Sequence, residues 1–293
     1  MKFIEKKHTN DGGCIEPERF ILWKQQEEKT LYRQYSNNDA ISAWDHLPSS
    51  SPTVMEGQIA YYSKEELADE LLKKQGYLCC YCNRIIHKNE KKRVEGMDLS
   101  DEERQANINH NDRRRTIEHV IPKSDNARLY TFDYCNLAVS CSGGERVPQS
   151  VVRYCNCGRS DRPIAINPFM PECEDKIYFD IDGNIHSDDE NIKYTIGYYD
   201  NGKVVEGVLN LIYFAEERAA IIKPYYYDNY DEWTIAKQSG EDLPELKIKT
   251  TEQATQVVAK LSKPNENGYF EEFCSAIISV LKRDIIELAQ QQN

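Results

Sequence analysis

The chain has 293 residues, 40% of them hydrophobic, with 37 Lys and Arg against 49 Asp and Glu for a net charge of −12. That length suffices for one large domain or two modest ones, and no apolar run approaches the roughly 20 residues a membrane-spanning helix needs. The opening MKFIEKKHTN is charged and lacks the apolar stretch of a secretory signal, so a cytoplasmic protein is expected, and the acidic balance excludes a protein held on nucleic acid by bulk charge alone.

Residues 1–62 mix charge, aromatics and turn signals, and HLPSSSPT at 46–53 has the composition of a loop. SKEELADELLKKQG predicts a helix. Ser63 caps the first turn, Glu66 completes a capping box, Leu67, Leu71 and Leu72 make an apolar stripe, and Gly76 stops the helix. YLCCYCNRII follows as two short extended pieces around a tight cysteine turn. Residues 87–115 are polar and charged, with a short helix expected near SDEERQAN. TIEHVIP predicts a strand closed by Pro122, residues 126–142 a short helix near Asn136-Leu137, and residues 143–163 a loop rich in Gly, Arg and Cys.

Farther on, KIYFDIDGNIH and YTIGYYDNGKVVEG each alternate around a turn dipeptide, Asp182-Gly183 and Asn201-Gly202, which predicts two hairpins. VLNLIYFAEERAAII, TEQATQVVAKL and YFEEFCSAIISVLKRDIIELAQ predict helices. In the last, Phe270, Phe273, Ile277, Leu281, Ile285 and Leu288 form a core-facing stripe. The expected fold class is α+β, largely helical with C-terminal hairpins. The expected division is residues 1–75 as an N-terminal helical segment, 76–165 as a cysteine-rich finger and 166–293 as a C-terminal α/β region that docks a partner.

Ten cysteines are many for a chain in a reducing compartment, where disulfides are not expected and ligand spacing points to metal or redox chemistry. Cys79-x-x-Cys82 has the spacing by which a tight turn presents two thiolates to one zinc. The redox reading of that turn, a thioredoxin-like dithiol, calls for a cysteine at a helix start, and these cysteines follow a helix. A closed zinc site needs a second pair, from Cys141, Cys155 and Cys157. The preferred quartet is Cys79, Cys82, Cys141 and Cys155, with Cys157 as the alternative to Cys155, and the 14-residue separation is tolerable because loop closure costs grow only logarithmically. Cys80, Cys14, Cys135, Cys173 and Cys274 are expected as packed small side chains.

Glu118 and His119 are adjacent on an extended run, where side chains alternate in direction. A carboxylate that holds a hard divalent cation beside a neutral imidazole that takes a proton from water supplies the parts of a metal-assisted phosphodiester hydrolase. Basic residues gather around this pair: residues 76–165 carry 15 Lys and Arg against 12 Asp and Glu, and the remainder carries 22 against 37. Arg113, Arg114, Arg115, Lys123 and Arg153 are candidate phosphate contacts, which position a nucleic acid without reading its sequence. Lys88, Lys91, Lys92 and Arg93 lie in the preceding loop. The remaining histidines, His8, His46, His87, His110 and His186, are expected at the surface.

CCYC, EHVIP and CNLAVSC, in that order across residues 76–162, resemble the HNH nuclease motif, the ββα-metal finger. The resemblance implies a metal-dependent endonuclease. Glu118 would bind catalytic Mg²⁺ or Mn²⁺, with Asn156 completing the metal site. His119 would be the general base, and Asn136 would hold the base-bearing loop. Arg159 would neutralise developing phosphate charge, and the cysteine quartet would hold a structural Zn²⁺. Two departures stand out: the acidic position is Glu where Asp or His is commoner, and SGGERVPQSVVRY splits the second cysteine pair. The leading helix into GYLCCYC, EHVIPKS and INPF followed by CEDKIYFDIDGNI are similar to the PtuB-like HNH proteins associated with retrons and Septu. That similarity implies an anti-phage defence effector, a PtuA-like ATPase as partner, a retron reverse transcriptase with its RNA–DNA product as a further partner, and DNA or RNA, including tRNA, as substrate. A zinc-stapled module that binds nucleic acid or protein without cutting is the alternative.

Overall fold

The computed structural model describes residues 1–10, 12–22, 24, 40–45, 63–86, 100, 113–125, 130–144, 152–228, 230–240 and 247–291. The expected loop at 46–53, the expected short helix near 100–107 beyond Ser100, Lys88, Lys91, Lys92, Arg93, His46, His87 and His110 lie outside the described residues. The fold is α+β and divides into two compact units. One comprises Ile4–Cys80 and Ile86–Pro163; the other comprises Met1–Phe3, Tyr81–Ile85 and Ile164–Asn293. Among the described residues no helix is long and apolar enough to cross a membrane.

The first unit contains α1 (Ala40–Asp45), α2 (Lys64–Lys74), β1 (Arg115–His119), β2 (Leu137–Cys141) and α3 (Cys155–Arg159). The capping box of α2 forms as expected: Ser63 Oγ accepts from Glu66 N at 3.2 Å and Glu66 accepts from Ser63 N at 3.1 Å. Leu67, Ala68, Leu71 and Leu72 are buried. The helix ends at Gln75, and Gly76 takes up φ +62°. β1 and β2 pair antiparallel, with Glu118 opposite Ala138 and His119 opposite Leu137. Every residue of β2 is buried, which accounts for its continuous run of small and apolar side chains.

Residues 143–163, expected as a loop, carry the short helix α3. Its five residues are too few to leave an apolar period in the sequence. Gly143 brings α3 to the end of β2. It sits at φ +65°, its carbonyl accepts from Tyr154 N at 3.2 Å, and a Cβ there would lie 2.0 Å from the Tyr154 carbonyl oxygen.

The second unit holds α4 (Cys173–Lys176), the hairpin β3 (Tyr178–Phe179) and β4 (Ile185–His186), α5 (Glu190–Ile196), the hairpin β5 (Tyr198–Asp200) and β6 (Lys203–Val205), α6 (Ala215–Ile222), α7 (Tyr230–Ser239), α8 (Thr251–Leu261) and α9 (Cys274–Gln291). Both hairpins turn where expected. Residues 190–196, however, are helical: Asp189 caps them by accepting from Asn191 N and Ile192 N. The last helix begins at Cys274, later than the expected run from Tyr269, and buries Ile277 and Leu281. Arg218 is buried and donates to the Gly183 and Leu211 carbonyls at 2.6 and 2.9 Å, locking the β3–β4 turn against α6. Asn83 and Arg84 belong to this unit: Phe273 N donates to the Asn83 carbonyl at 3.0 Å, and the Arg84 guanidinium lies 4.3 Å from the Phe214 ring.

Candidate metal centre and histidine site

The sulfur atoms of Cys79, Cys82, Cys141 and Cys155 all lie within 4.8 Å of one another, and all four residues are buried. This is the preferred quartet, and Cys155 is the member that joins. The Cys79 and Cys155 sulfurs are 3.9 Å apart. A tetrahedral zinc with Zn–S of about 2.3 Å places its sulfurs roughly 3.8 Å apart, so the cluster fits a metal such as zinc.

Its surroundings also suit thiolates. Cys141 N donates to Cys79 Sγ at 3.3 Å, and Ser140 Oγ stands 3.7 Å from the same sulfur. Cys80 is buried, as expected, and its side chain hydrogen-bonds that of Cys79. It is 2% exposed, burial pushes its thiol well up, and its amide donates to the Val139 carbonyl at 3.0 Å. Gln75 is a contributor that the sequence reading missed. Its side chain is buried, donates to the Leu78 and Val139 carbonyls at 3.0 and 2.9 Å, and accepts from Val139 N at 2.7 Å. It thereby fastens the cysteine turn to β2. A glutamine at a helix end carries no sequence signal for that role.

Glu118 and His119 leave β1 in opposite directions. Glu118 is buried and ion-pairs with Arg159 Nη1 at 2.5 Å. His119 packs edge-on against Trp44 of α1 at 4.6 Å between ring centroids, and its Nε2 lies 3.0 Å from the Thr131 carbonyl oxygen. A carbonyl can only accept, so Nε2 carries the proton and Nδ1 keeps the lone pair. Burial pushes the imidazole down to about 4, against the opposing pull of the Thr131 carbonyl, and so favours the neutral ring.

Asn136 is 3% exposed and makes three side-chain hydrogen bonds. Its Nδ2 donates to the Ile121 and Tyr130 carbonyls at 2.9 and 3.0 Å, and its Oδ1 accepts from Ile121 N at 2.6 Å. Its own carbonyl accepts from Val120 N at 3.0 Å. The two residues after His119 are thus held by one side chain and its backbone.

Arg159 is 1% exposed. Besides Glu118 it donates to the carbonyls of His119, Val120 and Arg162, at 3.1, 2.6 and 3.1 Å. Asn156 sits on α3 beside Cys155, and its amide lies 3.4 Å from Ser140 Oγ.

The basic residues are placed unevenly. Arg115 is buried and ion-paired with Asp69 and Glu65 of α2. Lys123 lies 3.3 Å from Asp45. Arg153 donates to the Gly144 carbonyl. Arg113 and Arg114 are half-buried.

Two cysteines expected as isolated packing residues are not isolated: Cys14 and Cys135 are joined in a disulfide across 121 residues of sequence. The disulfide follows from the pairing of residues 7–10 with 12–15, which meet the turn before β2, a tertiary contact with no local signature. Cys173 and Cys274 are buried, in keeping with the expectation for them. No protein-family model matches this chain, and no curated protein matches it.

Proposed function

We propose that the chain is an HNH-type endonuclease that hydrolyses phosphodiester bonds in nucleic acid. The observation that carries this reading is the fixing of His119. The Thr131 carbonyl takes the proton on Nε2, which leaves Nδ1 as the proton acceptor on a neutral ring. Asn136 supports it by bracketing Val120 and Ile121, the role the resemblance assigns to the central asparagine.

In this reading His119 Nδ1 takes a proton from the attacking water, and Asn136 holds the segment that bears the base. Arg159 acts as a positioning residue, through Glu118 and the carbonyls of residues 119 and 120. The ββα-metal finger corresponds to β1, β2 and α3, with zinc in the cysteine cluster. Glu118, an expected donor for catalytic Mg²⁺ or Mn²⁺, does not fit an ion as it stands. The Glu118 carboxylate is buried against a guanidinium, where a second cation would meet like charge. That same buried pair favours a second reading, a zinc-stapled module that binds nucleic acid or a protein partner without cutting.

The test is a cleavage assay with Mg²⁺ or Mn²⁺ on plasmid, single-stranded DNA and cellular RNA including tRNA, each with and without a PtuA-like ATPase. An anti-phage role with such a partner predicts cutting that depends on it. Wild type is expected to cut one substrate class. His119→Ala is expected to lose at least about 100-fold, the usual contribution of a general base, with its fold unchanged by circular dichroism. Equal cutting by His119→Ala sinks the assignment. Retention of nucleic acid with no cutting under any condition selects the binding module.

A further inference from the structure

We propose that His8, Cys14, Asp133 and Cys135 form a second zinc site, filled when the two thiols are reduced and dismantled when they join as a disulfide. The proposal stands whether or not the chain cuts nucleic acid.

Residues 7–10 pair with residues 12–15: Ile15 N donates to the Lys7 carbonyl at 2.8 Å, Thr9 N to the Gly13 carbonyl at 2.7 Å and Gly12 N to the Thr9 carbonyl at 2.9 Å. His8 and Cys14 face each other as an antiparallel bridge pair, which sets their side chains side by side. The second half of the site comes from the turn before β2. Asp133 caps that turn, its Oδ1 accepting from Cys135 N at 2.9 Å. One ligand atom each from Cys14, Asp133 and Cys135 lies within 4.8 Å of the others. His8 supplies the fourth, its Nε2 standing 4.0 Å from Cys135 Sγ.

The second observation is how His8 is held. Its Nδ1 lies 3.3 Å from the Gly12 carbonyl. That contact places the proton on Nδ1 and turns the lone pair of Nε2 toward the sulfurs, the backbone-carbonyl support that metal-bound histidines characteristically have. Two thiolates, an imidazole and a carboxylate make a four-donor set suited to zinc. Two thiolates and one carboxylate also overbalance a 2+ ion by a single negative charge. His8 is exposed and the other three are half-buried, so metal and small oxidants reach them.

The oxidant is hydrogen peroxide. One thiolate attacks the peroxide oxygen to give a sulfenic acid and releases hydroxide. The second thiolate displaces hydroxide from that sulfur, the S–S bond forms, and both hydroxides leave as water after taking two protons. The pair loses two electrons, the peroxide gains them, and Zn²⁺ departs because neither sulfur remains a thiolate.

The experiment is zinc analysis of full-length protein purified with a phosphine reductant that does not bind metal. Wild type is expected to hold one zinc more per chain than Cys14→Ser. Peroxide is expected to remove that zinc from wild type and yield a Cys14–Cys135 cross-linked peptide, while releasing no corresponding zinc from Cys14→Ser. His8→Ala, on an exposed residue where folding is not at stake, is expected to weaken the extra zinc at least 10-fold in competition with a chromophoric chelator. Cobalt substitution adds a spectral readout, because a two-sulfur site gives weaker thiolate-to-metal charge transfer than a four-sulfur one. Equal zinc in reduced wild type and Cys14→Ser overturns the proposal, as does an unchanged chelator titration for His8→Ala or a disulfide that survives the reductant.

Discussion

Glu118 and Arg159 carry opposite charges to a place where neither meets water, with side chains 4% and 1% exposed. Taking both out of solvent is costly, and the pair persists because Arg159 also satisfies three backbone carbonyls. Removing one partner strands the other. Arg159→Leu is therefore expected to lower stability by about 3–5 kcal/mol, and Glu118→Leu by a similar amount. The double variant should lose much less than their sum, because no charge is then left unpaired. Denaturant unfolding of the four proteins measures the coupling, and strictly additive losses would show that the two charges do not act as a unit. The sequence made Glu118 and His119 visible as neighbours, but their two-residue period sends them to opposite faces of β1. What each meets there comes from residues far along the chain: Arg159 lies 41 residues beyond Glu118 and Thr131 lies 12 beyond His119. The resemblance gave Arg159 the neutralising of developing phosphate charge, and its burial against Glu118 is not visible in the sequence.

Elements with strong local chemistry were legible. The α2 capping box, the turn dipeptides at Asp182-Gly183 and Asn201-Gly202, and the helix at Thr251–Leu261 all formed where composition and period placed them. Short elements without a period, α3 and α5, were not. The β3–β4 hairpin shows why two-residue strands suffice: Asp180 accepts from Asn184 N and Nδ2, both at 2.9 Å, and lies 3.0 Å from His186 Nε2. Burial pushes its carboxyl up, but the hydrogen bonds from His186 and Asn184 outweigh burial and hold it near 2, below the ordinary 3.8. A carboxylate depressed in the folded state stabilises it above the unfolded value, and that contribution disappears as acid carries the pH from about 3.8 down through about 2. Asp180→Asn should therefore melt lower than wild type at neutral pH. The difference should stay under about 1 kcal/mol, because the carboxylate is 35% exposed and screened. It should shrink across that acid window and vanish near its lower end. Melting curves at three pH values decide it, and a gap that persists undiminished at the acid end removes Asp180 as its source.

Charge and metal act at the scale of the whole chain. With a net charge of −12, and with Arg115 and Lys123 already facing acidic partners, the proposed nuclease would hold nucleic acid through few phosphate contacts and with a shallow salt dependence. A metal held in the cysteine cluster would act on the whole chain more strongly. The cluster gathers cysteines from a knuckle, a strand and a short helix, with Cys79 and Cys155 separated by 76 residues, so an ion bound there favours only conformations in which those pieces already meet. Binding to the folded chain alone raises stability by RT ln(1 + [Zn]/Kd), about 4 kcal/mol when free zinc is 1,000 times Kd. Cys82→Ser removes one thiolate from the closed set. It is expected to hold one zinc fewer per chain than wild type, to melt lower, and to gain less melting temperature from added zinc; wild type stripped by a strong chelator should approach the same melting point. A Cys82→Ser protein with full zinc and an unchanged melting curve would show that the four cysteines pack together without holding a metal.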